Sequence, residues 1–208
     1  MKTWLLALAL AAVTAAAADE AALLRDLRSG TPAERRAAAE RLAEIGGPGA
    51  TADLARALRD ADPEVRGRAQ AALWAIWHRS GDPTIDALLQ HGIQLMEQGR
   101  HPEAVAAFGE VIARAPAFAE GWNKRATVYY LMGEYDRSLA DCEEVVRRNP
   151  IHYGALSGFG LNYLQKGQLE RALEYFEKAL AVNPNLGQVE ATVRQLREIL
   201  IQRRRQAI

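Results

Sequence analysis

Along residues 19–80 and again along 82–186, apolar side chains return every three or four positions, the spacing of one buried face on an α-helix. Two different periods organise these faces. Slid forward along the chain, "TPAERRAAAERLAEIG" (31–46) falls on "DPEVRGRAQAALWAIW" (62–77), pairing Pro32 with Pro63, Arg35 with Arg66, Ala38 with Ala69, Leu42 with Leu73 and Ile45 with Ile76. Leu23 and Leu27 fall on Leu54 and Leu58 at the same offset. Each unit therefore predicts a helix, a polar turn, a Pro at the first helical position and a second helix. Gly46-Gly47-Pro48-Gly49 is a stop signal between the units.

The second period is slightly longer, and Pro116, Pro150 and Pro184 mark it at equal intervals. Three units align on it. Leu88, Trp122 and Leu156 share one position; Gly92, Ala126 and Gly160 share the small one where two helices approach; Leu95, Tyr129 and Tyr163 share a large one. Gly99, Gly133 and Gly167 mark the turn. The second helix carries Ala104, Ser138 and Ala172, then Phe108, Cys142 and Phe176, then Val111, Val145 and Ala179. Beyond Pro184, Val189, Val193, Leu196 and Leu200 form one stripe of an amphipathic helix. It is expected to cover the last repeat, because terminal units need a polar outer side.

On these residues the chain resembles two repeat families. "DADPEVRGRAQAAL" is similar to HEAT repeats of the phycobilisome-lyase type, and the seven shared positions over 85–184 resemble the tetratricopeptide repeat. The resemblances imply an all-α, right-handed helical-repeat solenoid. Residues 19–80 would be HEAT-like, 82–186 three tetratricopeptide units, and 187–208 a capping helix with a basic tail. They imply helix stacking and protein contacts rather than lyase chemistry. From "LWAIWHRSGDP" through "EGWNKRATVYY" to the final "QAI" the chain is also similar to exported tetratricopeptide proteins of proteobacteria. Trp74 and Trp77, where the periods meet, are expected to bury the interface between the arrays.

Positions 1–18 differ in kind. Lys2 precedes "WLLALALAAVTAAAA", small residues stand at Ala16 and Ala18, and Asp19-Glu20 opens charged sequence. This predicts a secretory signal peptide over 1–18, cleaved after Ala18, and a periplasmic protein without stable membrane insertion afterwards. The apolar run is too short to span a ~30 Å hydrocarbon core comfortably. Lys plus Arg (26) equals Asp plus Glu (26), so no global field recruits nucleic acid. The balance is local: 81–193 hold 10 basic and 15 acidic side chains, while 194–208 hold five Arg against Glu198.

Candidate chemistry is sparse. The single Cys142 has no intrachain disulfide partner, and it fills the slot of Phe108 and Phe176 as a small buried hydrophobe. Trp122, Ala126 and Tyr129 share one helix face, so the aromatic cluster around Cys142 is expected to be packing. His78, His91, His101 and His152 show no zinc spacing, and "GALSGFG" (154–160) lacks the G-x-S-x-G of a nucleophile elbow. No catalytic residue, cofactor or metal is therefore expected.

In tetratricopeptide arrays the first helix of each unit lines a groove through its positions 5, 9 and 12. Carried onto this chain these are Leu89, Ile93 and Met96; Asn123, Thr127 and Tyr130; and Ser157, Leu161 and Leu164, with Asn123 and Lys124 as polar handles. The chaperone-binding branch places Lys, Asn and Arg where this chain has Leu89, Ile93, Gly154 and Gly158, so a clamp for acidic C-termini is not expected. The function expected is a non-catalytic scaffold gripping a peptide or helix of another envelope protein. An architectural role in secretion or pilus assembly with an empty groove is the alternative, and an enzyme a distant one.

Overall fold

The computed structural model describes residues 19–206, so the predicted signal segment and its cleavage point lie outside the described residues. Described residues form helices and turns, with no strand among them. They fall into two compact units that divide between Trp77 and His78.

The first unit holds α1 (residues 19–29), α2 (Pro32–Ile45), a 3-10 turn (Pro48–Ala50), α3 (Thr51–Ala57) and α4 (Pro63–Trp77). α2 starts at Thr31, whose hydroxyl accepts from Glu34 N while the Glu34 carboxylate accepts from Thr31 N, a reciprocal cap. α4 starts at Asp62, whose Oδ1 accepts from Glu64 N at 2.8 Å. The repeat in this unit has a polar as well as an apolar cause. Arg35 Nη1 donates to Gly30 O at 2.8 Å, and Arg66 Nη1, its counterpart in the next repeat, donates to Ala61 O at 3.2 Å. Each Arg therefore ties down the carbonyls of the turn that precedes its helix. Leu42, Leu54, Leu58, Val65, Ala69 and Leu73 form the buried interior of this unit. The Trp74 and Trp77 rings meet edge-on, 5.4 Å between centroids.

The second unit holds α5 (Pro83–Glu97), α6 (His101–Arg114), α7 (Ala119–Leu131), α8 (Tyr135–Arg148), α9 (Tyr153–Gln165), α10 (Leu169–Val182) and α11 (Gly187–Gln206). Within each of the first three pairs the turn repeats bond for bond. Gly99, Gly133 and Gly167 have φ of 72°, 77° and 71°, a left-handed conformation that glycine adopts without steric cost. The next residue's N–H reaches back to Leu95 O, Tyr129 O and Tyr163 O, closing three Schellman-type ends. Each second helix stops at the residue before Ala115-Pro116, Asn149-Pro150 and Asn183-Pro184, since proline disfavours helical backbone in the residue ahead of it.

Packing explains the small position. A Cβ on Gly92 would lie 2.5 Å from the Phe108 ring, and one on Gly160 would lie 2.5 Å from the Phe176 ring. Glycine is what lets these rings enter. The middle unit exchanges the pair, with Ala126 and the smaller Cys142 in the same two positions, both buried. Burial pushes the Cys142 thiol up to about 12, far from the thiolate that reacts. Alkylation of Cys142 by a water-soluble maleimide is accordingly expected to be slow in the native protein and fast after unfolding. Rapid native labelling would contradict this burial.

One packing expectation changes. Tyr129 and Ala126 are buried, but Trp122 is only half-buried at the α7–α8 edge. Its Nε1 donates to Pro116 O at 3.2 Å, and Arg148 and Arg125 lie over the ring at 4.7 and 5.1 Å. The indole is an amphipathic brace for two guanidinium groups rather than a core residue. The α11 stripe seats Val193, Leu196 and Leu200 in the same core as Phe176 and Tyr163.

Candidate functional site

The first helices of the pairs lie side by side: α5 packs beside α7, and α7 beside α9. This row carries the residues expected to bind a partner, and the structure sorts them. Thr127 and Leu161 are exposed, the latter at 40%. Ile93, Met96, Tyr130, Ser157 and Leu164 are half-buried. Leu89 does not belong on the outer face: it is fully buried, in a cluster with Ile85, Ala104 and Phe108. Its position in the repeat alone put it one step too far from the core.

Asn123 also differs from the expectation. Its amide is buried, and Nδ2 donates to Glu120 Oε1 at 3.0 Å instead of remaining open to a ligand backbone. Lys124 Nζ lies 3.2 Å from the same Glu120 oxygen, so its charge is partly committed inside the fold.

Glu120 is the centre of a polar cluster that sequence reasoning missed. It is 1% exposed, in the first turn of α7, where a carboxylate suits the positive end of the helix. Around it stand Asn123 and Lys124 on α7, His78 Nε2 at 3.3 Å, and the fully buried His152. His152 Nδ1 accepts the Ala155 N–H that opens α9, so its proton sits on Nε2 and donates to Glu120 Oε2 at 3.1 Å. Burial pushes the Glu120 carboxyl up, but the hydrogen bond from His152 and the nearby Lys124 ammonium outweigh it and hold the group down at about 2. His152 lies a whole repeat away from Glu120, so no local motif announced the pair. The one available signal was a Glu placed three and four positions ahead of Asn123 and Lys124.

Between α7, α8 and α9 opens a cleft of about 120 Å³. Thr127, Tyr130 and Leu161 stand along it, with Asn123, Cys142 and Asn162 also in its wall. Every residue lining it is uncharged. The cleft lies between the middle unit and α9 of the third, beside Cys142, which replaces the phenylalanine ring of the neighbouring units. Among the described residues no cluster of three or more His, Cys, Asp or Glu side chains has metal-binding geometry.

Comparison with known proteins matches these features. Tetratricopeptide repeat models match residues 89–151 and 156–186, and a HEAT repeats model matches 20–94. A TPR repeat-containing protein of Rhizobium etli is 35% identical over 126 residues, which is 61% of this chain and 62% of that protein. The chain thus spans less than two thirds of that relative. Among solved structures, the first TPR domain of Spaghetti (RPAP3), bound to an HSP90 peptide, superposes with a TM-score of 0.54 at 22% identity, covering 56% of this chain and 93% of that one. The Sgt2 TPR domain of Aspergillus fumigatus gives 0.57 at 21% identity, covering 61% and 85%. With identity this low, both speak to the fold alone. The chain is thus similar to tetratricopeptide repeats over residues 89–186 and to HEAT repeats over 20–94.

Proposed function

We propose that this protein is a non-catalytic scaffold whose α5–α7–α9 row holds a peptide or helix of another protein. The observation that carries the reading is the cleft beside Thr127, Tyr130 and Leu161, an apolar and uncharged recess opening on the row of first helices. A structural neighbour of the same fold binds a peptide ending in EEVD. That acidic terminus does not suit this chain. Leu89, Ile93, Gly154 and Gly158 occupy the positions at which a carboxylate clamp needs Lys, Asn and Arg, and the cleft itself offers no cation. The segment recognised here is therefore uncharged where it enters.

Tyr130 is the residue on which binding should depend most. Its ring is half-buried and its hydroxyl accepts from Gln165 Nε2 at 3.3 Å, leaving the O–H free to donate. Apolar area with a wet polar tip is what makes Tyr common at interfaces. Tyr130→Ala is expected to weaken a segment selected from a displayed peptide library by roughly 1–3 kcal/mol, with the unfolding transition little changed. Full binding by a folded Tyr130→Ala protein would favour the architectural role in secretion or pilus assembly, in which this face stays empty.

The place of action in this reading is the periplasm. It is supported by the charged, apolar and small-residue pattern of residues 1–18. The mature chain is expected to begin at Asp19, as read by intact mass. A cytoplasmic species that retains residues 1–18 would contradict export.

A further inference from the structure

We infer that the cleft holds a phenylalanine ring of the segment that the scaffold grips. The inference deepens the scaffold reading and rests on it for the source of the ring; the fit itself depends on the cleft alone.

Small residues on two helices make the room. Cys142 on α8 stands where the outer units carry Phe108 and Phe176. On α9, Gly154 and Gly158 stand where the preceding unit carries Glu120 and Lys124, and both glycines line the opening. Four residues apart, they leave one stretch of helix backbone bare on a single face. Neither is sealed off: both are half-buried, as is Tyr130, while Thr127 and Leu161 are exposed. These five line the cleft and offer surface to an incoming side chain. The volume of about 120 Å³ is of the order that one ring needs, since an engineered apolar cavity of about 150 Å³ takes benzene.

The wall selects against charged and polar occupants. No lining residue carries a charge. Thr127 Oγ1 donates to Asn123 O at 3.0 Å and Ser138 Oγ to Ala126 O at 2.8 Å, so both hydroxyl protons are spent inside the fold. A polar group placed here would lose water and gain little in return. Two features favour a ring over an aliphatic chain. The protein itself lays rings on bare glycine backbone, Phe108 on Gly92 and Phe176 on Gly160, where an added Cβ would come within 2.5 Å of the ring. Tyr130 supplies a second ring in the wall, set against Tyr135 at 5.8 Å between centroids, and aromatic pairs gain beyond the area they bury.

The test uses the N-acetyl amides of phenylalanine, leucine, alanine and glutamate. Each is titrated into the whole ¹⁵N-labelled protein while the backbone N–H signals of Thr127, Gly158 and Leu161 are followed. The phenylalanine amide is expected to shift all three saturably. It should bind about tenfold more tightly than the alanine amide, the lower end of what burying the ring contributes. Over the leucine amide the preference should be about threefold, the share of the ring pair. The glutamate amide should leave the signals in place. Gly158→Ala puts a methyl on the bare backbone, its Cβ 3.3 Å from Cys142 Sγ, and suits a helix better than glycine does. It should keep the thermal transition and weaken the phenylalanine amide about tenfold. If that variant does not fold, Tyr130→Leu serves: it keeps apolar area, removes the second ring, and should bring the phenylalanine and leucine amides to equal affinity. No saturable shift from any probe overturns the inference. So does equal affinity of the phenylalanine and leucine amides for the wild type, or a response unaltered in folded Gly158→Ala. No protein partner takes part, so such a failure leaves the scaffold reading to its own test. A ring preference here with no protein captured in cells would keep the fit and sink the scaffold reading alone.

Discussion

Glu120→Ala is expected to lower the free energy of unfolding by about 3–5 kcal/mol, the cost typical of breaking a buried ion pair from one side. Removing the carboxylate takes away the acceptor of the His152 Nε2–H and of the Asn123 amide in the interior, and leaves Lys124 and His78 facing a void. The loss also has a pH signature. The Glu120 carboxyl is depressed from 4.5 to about 2 in the folded protein, so its contribution is complete above about 4.5 and is lost as pH falls toward 2. Chemical denaturation of wild type and Glu120→Gln should show a stability gap that is constant near neutrality and shrinks between pH 4.5 and 2.5. A gap that stays constant over that interval would mean the cluster is solvated rather than buried.

Phe176→Ala is expected to cost a similar amount, about 3–5 kcal/mol, because the ring is 1% exposed and occupies space that only Gly160 leaves open. Neighbouring helices cannot close over the gap without moving α11, whose Val193, Leu196 and Leu200 share that core. Cys142→Ala, at the same repeat position one unit earlier, should cost about 1 kcal/mol, since one sulfur is removed beside an existing cleft. Thermal unfolding of the two variants gives the comparison directly. Equal losses would contradict the view that the middle unit is packed differently from its neighbours.

These contrasts show what was legible in the chain and what was not. The helices, their turns and the buried positions follow from local spacing, because the same bonds recur in successive units of each period. Cys142 could be recognised as packing for that reason: its equivalents are phenylalanines. Leu89 could not be placed correctly, since a half-turn separates the core from the open face and tertiary neighbours decide between them. Trp122 shares its repeat position with Leu88 and Leu156, yet its ring lies at an edge under Arg125 and Arg148. The Glu120 cluster was invisible because its members come from α7, the start of α9 and the segment before α5. The cleft was equally hidden, although the Phe-to-Cys exchange that creates it stood in the alignment of the repeats.

The central claim is that the row of first helices, at the middle unit, holds a segment of another protein. A photo-crosslinking amino acid placed in the living cell at Thr127, at Leu161, or at the exposed Ala140 on α8 tests it most directly. The scaffold reading predicts that positions 127 and 161 capture the same discrete protein, that position 140 does not, and that Tyr130→Ala in the same chain abolishes the adduct. Capture of that protein equally from all three positions, or from 140 alone, would contradict it.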